Sequence, residues 1–245
     1  MSGLRSVQGL MFQEFTHPRD IEQLVSTLVS VPKRLRSVEL GKEWYADLPY
    51  CVVGAVFSIN IRSQQWLRIV ETFDAKSGWQ ALLSSEERRS VTDLIALLNR
   101  RGDSENAREF FDSAHRTSAK GGILKSEAVR LFASALVEEG IRVRADLSAQ
   151  KILSAFRRVK TIPGQKSGIS FVFFLMLAGL ADFVKPDRRI QRFVAESLGR
   201  KISANAAAEI VRQSAYAMNM RPADLDLTIW EWLTKRSELR VVARA

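Results

Sequence analysis

Lys166 and Ser167 stand within Thr161-Ile162-Pro163-Gly164-Gln165-Lys166-Ser167-Gly168-Ile169-Ser170, a stretch expected between two helices. Pro163 and Gly164 end the first helix, and Gly168 lets the backbone turn sharply into the second, whose first N–H groups have no helical partner. A helix start of this kind binds phosphate: the backbone from Gly164 through Gln165 to Gly168 supplies donors, Lys166 a charge and Ser167 a hydroxyl. An ordinary glycine-containing turn accounts for the same residues. The second segment is Val184-Lys185-Pro186-Asp187-Arg188-Arg189-Ile190, which puts a carboxylate at the opening of another helix. Asp187 fits a helix N-cap, the usual reason for an aspartate there. It also lies one buried helix beyond the turn, a distance that carries the carboxylate back to the face where the turn would grip a backbone. Arg188, Arg189 and Arg192 follow at helical spacing and either contact phosphate or form a solvated basic face.

The charge supports an anionic partner. Lys and Arg number 37 against 27 Asp and Glu, a net +10, and residues 151–201 hold 11 of the basic residues against only Asp182, Asp187 and Glu196. Other chemistries find little support. His17 and His115 have no metal-ligand spacing, no cofactor motif is present, and no Ser/His/Asp arrangement suggests itself. The lone Cys51 lies in Tyr50-Cys51-Val52-Val53 and reads as a core thiol, which excludes a disulfide framework and any four-cysteine metal site. No secretory leader is visible, so a cytoplasmic, nucleoid-associated protein is expected.

The elements that position these residues are helices throughout, because apolar residues recur at helical spacing and no period-two strand or hairpin dipeptide occurs. Thr16 and Pro18 open a helix carrying Ile21, Leu24, Leu28 and Val29. Pro49 opens another through Val52, Val56 and Ile59, and Trp66, Ile69 and Phe73 mark the next. Further helices are expected over 86–101, 105–114, 125–139, 148–160, 168–183, 187–198, 204–218 and 222–235. Residues 169–183 are apolar except for Ser170, Gly179 and Asp182, so this is the central core helix; at 15 residues it falls short of the ~20 that span a bilayer. The polar stretch 113–122 is the expected mobile loop. Trp230 and Trp232 fall on opposite sides of the last helix, one for the core and one free to line a pocket.

The two segments together resemble the helix-hairpin-helix/Gly-Pro-Asp superfamily of base-excision DNA glycosylases. Its members share a hairpin close to Leu-Pro-Gly-x-Gly-x-x-Thr-Ala, a buried helix, and Val-Asp-x-x-Val opening the next. Ile162-Pro163-Gly164 matches the hairpin start and Pro186-Asp187-Arg188-Arg189-Ile190 the aspartate motif. Leu48 to Asn60 is similar to the family's first barrel helix and its polar loop. The resemblance runs from about residue 47 to 235. It implies an all-α, two-lobed fold, with a barrel lobe over 47–167 ending in the hairpin and a second lobe of 1–46 plus 168–245 carrying the aspartate. It also implies a monomer that binds double-stranded DNA without cofactor, metal or membrane and hydrolyses the glycosidic bond of a flipped base. Asp187 would stabilise the developing positive charge on the deoxyribose, and Asn60 or Arg62 would fill the vacated stack. Bifunctional members carry a Schiff-base lysine at the end of the hairpin; here that position falls on Gly168 or Ile169, so the implied enzyme is monofunctional. Lys166 stands where the family has its second glycine, and the iron–sulfur loop of some members is absent. A base that is damaged or modified, such as those of bacteriophage DNA, is the implied target. Two other functions fit the composition: a non-catalytic DNA-binding protein on the same scaffold, and a basic helical adaptor for acidic proteins.

Overall fold

The computed structural model describes residues 7–12, 16–29, 45–61, 63–82, 84, 86–100 and 107–242. Among them it is all-helical, with α1 (Val7–Phe12), α2 (Pro18–Val29), α3 (Leu48–Phe57), α4 (Ser63–Ser77), α5 (Val91–Asn99), α6 (Lys125–Glu138), α7 (Ala149–Val159), α8 (Ile169–Leu177), α9 (Arg188–Leu198), α10 (Ala204–Ala217) and α11 (Pro222–Val242). A single isolated bridge, Arg116 to Leu124, is the only β pairing among the described residues. No helix among them is long and apolar enough to cross a membrane.

The chain divides into two units, residues 43–179 and residues 1–42 with 180–245. In the first, every residue of α3 is buried, as expected of a helix apolar on all sides. α3 packs against α4, α6 and α8, and its Cys51 is fully buried, with burial pushing the thiol pKa up so that it stays protonated. The expected long core helix is shorter than its apolar run. α8 ends at Leu177 because Gly179 takes a left-handed conformation and its N–H closes onto Met176 O at 2.9 Å. The unit boundary accordingly falls after Gly179 rather than after residue 167, and the buried helix packs with the residues that precede it.

Two other helices also start later or run shorter than their periodicity suggests. α5 begins at Val91 because Ser90 and Asp93 form a reciprocal capping box. Residues 86–89 instead run extended, held by Asp47, which accepts from Arg88 N, and by Glu87, which accepts from Arg144 N at 2.9 Å. Of the expected helix over 105–114, residues 105 and 106 lie outside the described residues, Ala107 is helical, and Arg108–Phe110 tighten into a 3-10 turn with Phe110 and Phe111 buried. The polar stretch 113–122 is tied down: Lys125 N donates to His115 O at 2.8 Å, Thr117 N to Ile123 O at 2.9 Å, and Arg116 Nη1 to Gly122 O at 2.8 Å.

In the second unit, α10 presents the small residues Ala207, Ala208 and Ala215, with Val211, to α2, α9 and α11, which pack around it. Leu24 and Leu28 of α2, Ile190, Phe193 and Val194 of α9, and Leu225 and Ile229 of α11 complete this core. Trp232 joins it edge-on to Phe193 at 5.6 Å between ring centres, while Trp230 is half-buried on the other side of α11.

Candidate functional site

The residues between α7 and α8 form two successive turns. In the first, Gln165 N bonds to Ile162 O at 2.9 Å, with Pro163 and Gly164 at its corners. Gly164 has φ +82, so this is the Pro-Gly pairing that a type II turn demands. In the second, Gly168 N bonds to Gln165 O at 2.9 Å, and Lys166 and Ser167 occupy the exposed tip. Gly168, at φ +74, supplies a second left-handed residue four positions after Gly164. No other residue fits either place. A Cβ on Gly164 would come 2.5 Å from Thr117 Oγ1, and one on Gly168 would come 2.5 Å from the Phe156 ring.

Gln165 plays a different part from that expected of its side chain. It is buried, its Oε1 accepts from Ser170 Oγ, and it ties the turn to the first turn of α8; only its backbone remains for a ligand. The start of α8 is lightly capped. Ser167 Oγ lies 3.4 Å from Ile169 N, and the first helical bond runs from Val172 N to Gly168 O, so the Ser170 and Phe171 amides precede it.

Asp187 is the N-cap of α9: its Oδ1 accepts from Arg189 N at 2.8 Å and Ile190 N at 3.1 Å. Its Oδ2 lies outside that cap. The non-helical strap leading to it, residues 181–187, is pinned by α1, α10 and α11. Ala181 O accepts from Ala223 N at 2.9 Å, and Asp182 Oδ1 from Tyr216 OH at 3.1 Å. Gln8 of α1 brackets Val184, donating to its O at 2.8 Å and accepting from its N at 2.9 Å. Asp226 of α11 accepts from Lys185 N at 2.7 Å. Tyr216 is itself held by Arg212, which pairs with Glu209 in the interior. Sequence patterns showed none of Gln8, Asp226 or Tyr216, because each works through a backbone atom or a residue far away in the chain.

The structure gathers Arg188, Arg189 and Arg192 on the exposed side of α9. Arg189 stacks on Trp230, 5.4 Å from the ring centre, and Arg192 approaches Glu196 at 3.8 Å. The basic excess over 151–201 is partly neutralised by residues outside that window, since Arg158 pairs with Glu138 and Glu139, Lys151 with Asp146, and Arg200 with Asp20. Among the described residues, Arg157, Lys160, Lys166, Arg188, Arg189 and Lys201 keep no ion pair.

Asn60 follows α3, exposed and left-handed at φ +57; Arg62 lies outside the described residues. The bend at Asn60 is held from below by Lys125, a buried cation whose Nζ donates to Phe57 O at 3.1 Å and to Ile59 O. That contact also explains why α3 stops before Ile59, since the ammonium takes the place of the next helical N–H groups. A surface groove of about 520 Å³ is lined by residues including Gln65, Arg68, Thr72 and His115, with Gln65 Nε2 2.9 Å from His115 Nε2. Among the described residues no cluster of His, Cys, Asp and Glu could hold a metal ion.

The chain belongs to a family described as Domain of unknown function (DUF8548), whose model matches residues 22–234. That span covers both the turn and the strap. Comparison with curated proteins and with solved structures finds no match.

Proposed function

We propose that the protein is a monofunctional DNA glycosylase that binds duplex DNA as a monomer and hydrolyses the N-glycosidic bond of a flipped damaged or modified base. The turn at Ile162–Gly168 would act as a helix-hairpin-helix grip. Its Lys166 charge and the amides opening α8 would take a backbone phosphate. Flipping costs a few kcal/mol, offset by contacts to the extruded base and to phosphates. As the bond to the base breaks, positive charge spreads over C1′ and the ring oxygen; Asp187 would stabilise it and orient the water that attacks C1′. The base leaves with the bonding electrons and takes up a proton, the attacking water gives one up, and the sugar keeps the hydroxyl, giving an abasic site.

The observation that carries this proposal is the strap. A helix cap needs only Oδ1 of Asp187, yet three neighbouring helices, α1, α10 and α11, fix the residues that lead to it. Such over-determined placement is what a preorganised carboxylate requires. The two cap bonds to Oδ1 favour a second function, a DNA-binding protein without catalysis in which Asp187 only opens α9.

Asp187→Asn separates the two. Asparagine caps about as well as aspartate, so the variant should melt within a few degrees of the parent and bind DNA at least as well. In a panel of duplexes carrying damaged or modified bases, abasic-site formation by the variant should fall by about 10² or more. Borohydride should trap no covalent adduct with the parent. Full activity in Asp187→Asn refutes the catalytic role; salt-dependent duplex binding with no excision anywhere in the panel supports the second function.

A further inference from the structure

We infer that Asp226 is the positioning carboxylate of the Asp187 site: it fixes the strap through the Lys185 amide, and its own charge reinforces that of Asp187 on the bound deoxyribose. The inference rests on the glycosylase proposal above.

Asp226 lies on α11, 7% exposed, with Oδ2 2.7 Å from Lys185 N. Most charged groups on the elements around it have other partners, and Arg188 of α9 is exposed. On α10, Arg212 and Glu209 hold one another and Tyr216 is bonded to Asp182. On α11 itself, Arg221 holds Asp224 at 2.6 Å. Arg189 of α9 rests on Trp230, and the residue that α1 supplies, Gln8, is neutral. Lys185 and Asp187 are the two whose charges act on Asp226.

Burial and the negative charge of Asp187 push the Asp226 carboxyl up to about 7, against the pull of the Lys185 amide and ammonium. The charge that Asp226 places beside the strap therefore grows as pH rises through its midpoint. A residue serving only as a hydrogen-bond acceptor would not need that ionisation, because an asparagine oxygen accepts from the same amide.

The test uses the full chain and two duplexes, one with a neutral tetrahydrofuran nucleotide and one with a cationic pyrrolidine nucleotide that places positive charge where the sugar develops it. Dissociation constants are measured at constant ionic strength about one pH unit below and above the Asp226 midpoint. The parent should prefer the cationic duplex, and the preference should grow by roughly fivefold across that interval, the scale of modest site coupling. Asp226→Asn should keep the low-pH preference and lose the growth; Asp187→Asn should lose most of the preference at both pH values. Equal growth in the parent and Asp226→Asn overturns the inference and leaves the glycosylase proposal standing. No preference in the parent at either pH overturns both. Should Asp226→Asn fail to fold, carbon-13 NMR titration of the parent and of Asp187→Asn decides: the Asp226 midpoint must fall when the Asp187 charge is removed, and an unmoved midpoint overturns the inference.

Discussion

Gly168→Ala measures how firmly the turn is set. Gly168 has φ +74, where an alanine costs about 1–2 kcal/mol relative to its preferred conformations. Its Cβ would also meet the Phe156 ring at 2.5 Å and 3.0 Å, closer than carbon atoms pack. Phe156 cannot swing away freely, since it is 4% exposed, packs against Phe171 at 5.6 Å between ring centres, and lies under the Lys160 ammonium at 5.1 Å. Forcing a methyl into such a place costs a further ~1–3 kcal/mol. The expected total is about 2–5 kcal/mol. Gly78→Ala supplies the control: it lies in the same unit, has φ +71 and has nothing within 4 Å of its ideal Cβ, so it should cost only the conformational part, about 1–2 kcal/mol. Urea unfolding of both variants, followed by circular dichroism, gives the difference directly. Equal losses would mean that the turn does not rest on Phe156 as described and would refute the reasoning. Duplex affinity of Gly168→Ala should also fall, because the amides that open α8 move with the turn.

Lys166→Glu should weaken binding to all duplexes about equally and lower the salt slope by roughly one charge or more; unchanged affinity at moderate salt would make the turn merely a turn and favour an adaptor. Lys125→Met keeps the bulk of a side chain that is 1% exposed but strips its ammonium from the Phe57 and Ile59 carbonyls. Unfolding should show a loss of about 2–3 kcal/mol, with faster amide exchange at residues 58–61; a neutral outcome would show that these carbonyls find other partners.

The all-helical class and the helix opening at Asp187 were legible because they depend on local signals: apolar period, caps, proline and glycine. Where expectation and structure part, a distant residue has overridden the local pattern. The run 86–89 is helix-compatible by composition, yet Asp47 and Arg144 draw its backbone and side chains into extended contacts. The apolar run 169–183 reads as one helix, yet the left-handed Gly179 breaks it and frees the strap. The same separation hid half of the candidate site. Asp187 advertises itself by its place after Pro186, whereas Gln8 reaches the strap from 176 residues away and Asp226 from 41, each through a backbone atom that carries no side-chain signature.

Lys166, which departs from the glycosylase hairpin that its segment resembles, lies in the turn, whereas Asp187 lies in the strap. Moving the second left-handed glycine from position 166 to 168 puts a lysine and a serine at the tip where a glycine would have brought bare backbone close to its ligand. A tip lysine adds sequence-independent, salt-sensitive attraction to phosphate. Under the proposed function it would do little for the geometry at the sugar, which the strap would set through hydrogen bonds that do not involve the turn. Grip and chemistry should therefore come apart under mutation. Lys166 variants should change the dissociation constant and leave the single-turnover rate at saturating DNA nearly unaltered, while Asp187 variants should do the reverse. A rate that falls in step with affinity in Lys166→Glu would mean that the turn also shapes the reacting geometry, and the assignment of separate tasks to the two segments would be wrong.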